Sequence, residues 1–152
     1  MKKFFSYSGV TGRIFEEEVL GHCTVQWDGR TYLRYREAMD LVRMHQPWLP
    51  TAPSQFLPRQ LHAAVAKALG VDTQKIALYT AVGSPLDRFH SVDGFVEFEG
   101  SVVTIDVTIN RHKDAYRADV ILSEDDVENN FTTVAGRISE AFHWATKAYA
   151  HR

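Results

Sequence analysis

Apolar and polar positions change period several times along the chain, and each change marks a predicted element. From Gly12 to Leu20 (GRIFEEEVL), Ile14, Phe15, Val19 and Leu20 spread over one broad arc of a helical wheel, which predicts a short helix ended by Gly21. CTVQWDGRTYLRY follows, with Asp28-Gly29 between two β-rich arms, the pattern of a hairpin on a type I′ turn. Tyr35 to Gln46 reads as a helix with Met39, Leu41, Val42 and Met44 available for burial. Pro47, Pro50, Pro53 and Pro58 make QPWLPTAPSQFLP a connector, and Arg59 to Leu69 (RQLHAAVAKAL) a helix stopped at Gly70.

KIALYTAV, from Lys75, predicts a buried strand, followed by a turn-like GSPLD. Two strands come next, about Val92–Phe98 and Val102–Ile109, and RADVIL (Arg117 to Leu122) predicts a further short one. SEDDVEN is an acidic loop or helix start, and Phe131 to Tyr149 a closing helix. The fold class that results is α+β, a central mixed β-sheet flanked by helices. At 152 residues the chain suits a single domain, its core at about 12–20 and 76–149, with 23–70 as an α/β insertion or an elaborated face.

One stretch contradicts its own pattern. HSVDGFVEFEGSVVTIDVT, residues 90–108, alternates like a hairpin around Glu99-Gly100, yet Asp93 and Asp106 interrupt it. A two-residue turn sets Phe98 against Ser101, Glu97 against Val102, Phe95 against Thr104, and hence Asp93 against Asp106. Directly opposed residues hold their Cβ atoms roughly 4.5–5.5 Å apart, and like charges there destabilise the pair. Something positive between the two carboxylates would relieve it. On the second arm Val103, Ile105, Val107 and Ile109 share one face, while Thr104, Asp106 and Thr108 share the other. Asp87 and His90 lie just before the first arm, and Glu16 falls between Val19 and Leu20 on its helical wheel. Clustered carboxylates are a hard-oxygen site suited to Mg2+ or Mn2+.

Composition narrows the partners. The formal charge of −2 is near neutral, but basic residues outnumber acids in the first half and acids dominate the second. That asymmetry suits a half that grips a polyanion beside a half that binds cations, with Arg34, Arg36 and Arg43 as phosphate contacts. No apolar run approaches the roughly 20 residues of a membrane span, and the start has no apolar core of a signal peptide. Cys23 is the only cysteine, which excludes an internal disulfide and fits a cytoplasmic protein. Ser84, Asp87 and His90 lack the strained elbow of a nucleophilic triad, and His22-Cys23 lacks further ligands at zinc spacing. Trp27, Trp48 and Trp144 read as packing residues, although Trp48 in the connector has the chemistry to stack on a base.

The order of a helix bearing GRIFE, a strand, VDGF, a hairpin, TIDVT, and a closing strand and helix resembles the PD-(D/E)XK nuclease superfamily. The resemblance covers residues 12–20 and about 76–145. It implies a restriction-endonuclease-like core and Mg2+ or Mn2+ on Asp93 and Asp106, with Glu16 as the helix acid and Asp87 or His90 completing the shell. It also implies hydrolysis of DNA or RNA phosphodiesters. Val92 stands where the family has proline, and Thr108 where it has the lysine that positions water; Lys113 or His90 is then the expected substitute. The alternative expectation is a non-catalytic module of the same fold that binds nucleic acid or a protein partner. A homodimer is compatible with either.

Overall fold

The computed structural model describes residues 12–109 and 117–150, with the side chains of 146–150 left aside. Lys113 lies outside the described residues. The elements in chain order are α1 (Gly12–Leu20), α2 (Tyr35–Met44), α3 (Phe56–Leu69), β1 (Ala77–Thr80), α4 (Pro85–His90), β2 (Gly94–Phe98), β3 (Ser101–Val107), β4 (Val120–Leu122), α5 (Glu124–Glu128) and α6 (Thr132–Ala150). The sheet runs β1-β2-β3-β4, with the first two pairings antiparallel and β3–β4 parallel, so it is mixed as predicted.

Strand alternation divides the interior in two. Leu78, Val96, Val103, Ile105 and Val107 point into the larger core, which α1, α3 and α6 cover with Phe15, Leu20, Leu61, Val65 and Ile138. Phe95 and Tyr79 point the other way, toward Ala38, Met39 and Val42 of α2 and Leu86 of α4. The result is a helix–sheet–helix sandwich. Residues 23–70 contribute to both layers: α3 belongs to the larger core and α2 to the smaller.

The Pro-rich connector has a defined task at the sheet edge. The Gln46 side chain donates to the Thr80 carbonyl (2.9 Å) and accepts from its N–H (2.8 Å). One residue pair along, Trp48 Nε1 donates to the Leu78 carbonyl (3.0 Å) and Leu78 N–H to the Pro50 carbonyl (2.9 Å). These bonds satisfy the outer edge of β1, which would otherwise offer its backbone to another chain. Trp48 is therefore a buried edge cover rather than a base-stacking platform.

Two local expectations fail for stated reasons. No hairpin forms at Asp28-Gly29. The Asp28 carboxylate accepts from the backbone of Arg30 (2.8 Å) and Thr31 (2.7 Å) and from the Thr31 hydroxyl, so a side-chain turn replaces the strand ladder. The flanking residues anchor elsewhere: Cys23 N–H on the Val82 carbonyl, Thr24 N–H on that of His45, and the Trp27 indole on that of Gly83. The second is GSPLD, which is not a plain turn but the start of α4. Ser84 caps it, accepting from the N–H groups of Leu86 and Asp87, and Pro85 fills its first position.

The β2–β3 hairpin has the predicted register, from Phe98 opposite Ser101 to Gly94 opposite Ile105. Glu99 (φ 50°) and Gly100 (φ 79°) both take left-handed backbone, as a two-residue type I′ turn requires. At the far end Gly94 lets α1 approach. A Cβ there would meet Leu20 Cδ1 and the Tyr79 carbonyl oxygen, each at 2.8 Å. Gly94→Ala is expected to cost about 1–3 kcal/mol through overpacking, read as a fall of several degrees in Tm. An unchanged Tm would mean that α1 does not need this contact.

Candidate metal centre

Each acid of the centre comes from a different element. The hairpin pairing ends with Gly94 opposite Ile105, one residue short of Asp93 and Asp106, and those two carboxyls meet through a side-chain hydrogen bond. The Asp93 N–H donates to the Ile105 carbonyl (2.9 Å) and its own carbonyl accepts from Ala81 (2.8 Å), so its backbone continues the sheet. Its side chain is 2% exposed, and its Oδ2 accepts from the Val107 N–H at 2.7 Å. Asp87 enters from the first turn of α4, where its Oδ2 accepts from the Gly83 N–H at 2.9 Å. Glu16 enters half-buried from the second turn of α1.

Glu16, Asp87 and Asp93 each bring one carboxylate oxygen to a common point, all within 4.8 Å of one another. This trio could hold a metal ion. Asp106, 5% exposed, stands behind it and is hydrogen-bonded to Asp93. Asp93 thus meets Asp106 as expected, but among the described residues the oxygen set gathered within 4.8 Å is Glu16, Asp87 and Asp93. Asp106 backs that set.

The electrostatics follow from this crowding. The Asp93 carboxyl is pushed well above the usual carboxylate range, first by burial, then by the charges of Asp87 and Glu16, and further by hydrogen bonds with Asp106 and Asp87. A proton on Asp93 makes those bonds possible when no cation is bound. A divalent cation supplies the same relief with more charge, and an all-carboxylate oxygen set matches Mg2+ or Mn2+. The residues present could hold a metal ion.

Other predicted site residues fall elsewhere. His90 is engaged by other groups: Nε2 is 2.8 Å from the Leu33 carbonyl, and its ring packs against Tyr32 and Tyr35 at 5.7 and 5.5 Å. Arg34 is exposed beside the start of α2. Arg36 and Arg43 line a separate hollow of about 410 Å³ with Tyr35, Met39, Thr104 and Asp119. There Arg43 pairs with Glu97 and with Asp40 (3.0 Å) and lies over the Phe95 ring, so its charge is already balanced.

Sequence reasoning missed Arg13. Its Nη1 lies 3.4 Å from Asp87 Oδ2, and its Nε 3.5 Å from Glu17, which brings a guanidinium to the edge of the acid trio. The signal was its spacing, three residues before Glu16 and so on the same side of α1. No family model matches the chain, nor does any curated protein or solved structure.

Asp93 makes the metal-free protein sensitive to pH. Its folded pKa lies above the unfolded value, so its stabilising contribution is full below the ordinary aspartate pKa and is lost as pH rises through the folded one. Asp93→Asn keeps an acceptor for Val107 and gains permanent donors. In chelator it is expected to melt roughly 2–6 °C above the wild type at neutral pH, with the gap closing as pH falls. A gap independent of pH would contradict the buried-acid account.

Proposed function

We propose that the chain is a metal-dependent nuclease, a divergent relative of the PD-(D/E)XK enzymes, that hydrolyses phosphodiester bonds of DNA or RNA. The observation that carries the reading is the convergence of Glu16, Asp87 and Asp93 from three elements onto one point, with a fourth acid behind. Glu16, Asp87 and Asp93 would hold Mg2+ or Mn2+, which when bound supplies charge for phosphate oxygens and acidifies water. Asp106 orients Asp93 and shares its charge. The Val107 and Gly83 N–H groups fix one oxygen each of Asp93 and Asp87, so the acids are aimed before any ligand arrives.

Thr108 stands where the resembled family carries its lysine, and its N–H is used in the sheet, donating to the Leu122 carbonyl (2.9 Å). Among the described residues, Arg13 is a cation that reaches the acids. A guanidinium there would neutralise charge building on the phosphoryl oxygens, but it is a poor proton acceptor. Water would then be deprotonated by a carboxylate or by the phosphate itself. The same missing lysine favours the second reading, a nuclease-like module that binds nucleic acid or a protein partner without cutting.

Two readouts decide between them. With Mn2+ at about a hundred times its dissociation constant, the wild type is expected to gain about 2.7 kcal/mol, roughly 5–10 °C in Tm, and Asp93→Asn to gain almost none. Cleavage of labelled DNA and RNA oligonucleotides should require the metal, with Asp106→Asn about 10–100-fold slower. A metal shift without cleavage favours the binding module. No shift in the wild type would sink the metal centre itself.

A further inference from the structure

A cleft of about 380 Å³ opens beside the acid trio, lined by Arg13, Trp27, Gly29, Gly83, Ser84, Asp87 and Arg88. We infer that this cleft, between α1 and α4, seats the phosphodiester backbone of a nucleic-acid strand leading to the acids, with Arg88 and Arg13 on its phosphates and Trp27 against a neighbouring nucleoside. The inference rests on the nuclease reading and assigns it a substrate path that does not use Arg34, Arg36 or Arg43.

Four observations support it. Asp87 belongs both to the cleft and to the oxygen trio, so a strand in the cleft runs directly onto the acids. The two guanidiniums stand on different elements, α1 and α4, as a clamp on a polyanion requires. Arg13 is partly neutralised by Glu17 and Asp87, but among the described residues Arg88 has no carboxylate partner; its guanidinium lies over the Phe89 ring at 5.8 Å. That leaves Arg88 as the stronger phosphate contact.

The fourth observation is the wall made by residues 27–31. The Trp27 indole is fixed by its bond to the Gly83 carbonyl (2.9 Å) and by an edge-to-face contact with Phe89 at 5.9 Å. The Asp28 side-chain turn then holds Gly29 at the cleft rim. A half-buried aromatic ring immobilised beside two arginines has the composition of a site for single-stranded nucleic acid, in which base or sugar stacking supplements phosphate contacts.

The test is fluorescence anisotropy with a labelled single-stranded oligonucleotide in chelator, which prevents metal-dependent cleavage. Arg88→Ala is expected to weaken binding roughly tenfold and to lower the salt slope by about 0.7, with Arg88→Lys restoring most of both. Arg59→Ala, which removes the same charge from the exposed side of α3, should change little. Equal losses in Arg88→Ala and Arg59→Ala, or no loss in Arg88→Ala, would overturn the cleft assignment, as would a wild type that does not bind the strand. A mononucleotide or inorganic phosphate that competes as well as the oligonucleotide would overturn the strand in favour of a small-anion pocket. The Mn2+ melting shift is read separately in wild type and Arg88→Ala. If it persists while the cleft assignment fails, the metal centre stands; if it is absent throughout, the catalytic reading fails while anisotropy still decides the cleft.

Discussion

A buried carboxyl that faces three others is the constraint on which this structure depends. Asp93 is almost wholly withdrawn from solvent, with Asp106 opposite and Asp87 and Glu16 at its open side. Four ionised carboxylates cannot share so small a volume without a compensating proton or cation. The fold does not relax this conflict. It enforces it, because each acid is fixed by an element whose position is set by apolar packing elsewhere: Asp106 by β3 between the two cores, Asp87 by the capped start of α4, and Glu16 by the packing of Phe15, Val19 and Leu20.

Backbone N–H groups keep the arrangement from being merely repulsive. Val107 donates to Asp93 and Gly83 to Asp87, so one oxygen of each carboxylate has a fixed donor that water or a mobile side chain would not supply. Arg13 adds a full positive charge, but from the rim and shared with Glu17. Exposed pairs of this kind contribute little to stability. Asp93 itself, buried among like charges, holds its proton well above the usual range, and a cation would supply the same relief.

How much of this was legible in the chain follows from how local each signal is. The alternation of VVTIDVT and the Glu99-Gly100 turn fix the hairpin register as far as Gly94 opposite Ile105, and the next residues along the two arms are Asp93 and Asp106. The helix at 12–20 has the bounds its apolar spacing predicts; those expected at 35–46 and 59–69 form at 35–44 and 56–69, the last starting inside the expected connector and ended by Gly70. The Asp28-Gly29 hairpin failed because its dipeptide is equally suited to a side-chain turn, and the choice was made by distant partners, the carbonyls of Val82, His45 and Gly83. His90 was misjudged for a similar reason. Its nearness in sequence to Asp93 says nothing about the Leu33 carbonyl and the two tyrosines that hold it. The start of α4 was read as a turn, although Ser84, Pro85 and Asp87 carry its signal: a cap, a first residue and a first-turn acid.

The segment 23–70, which no sequence pattern explains, acquires a physical purpose from the edges it covers. Gln46, Trp48 and Pro50 satisfy the outer edge of β1, α3 fills the layer beside α1 and α6, and Trp27 braces the Gly83 carbonyl one peptide away from the N–H that holds Asp87. Gly83 is thus held at both ends, by a ring on one side and a site carboxylate on the other. A displacement of residues 27–31 would be felt at Asp87 through a single residue. The wall of the cleft and the acids therefore meet at one residue, whose carbonyl holds the Trp27 indole and whose N–H holds the Asp87 carboxylate.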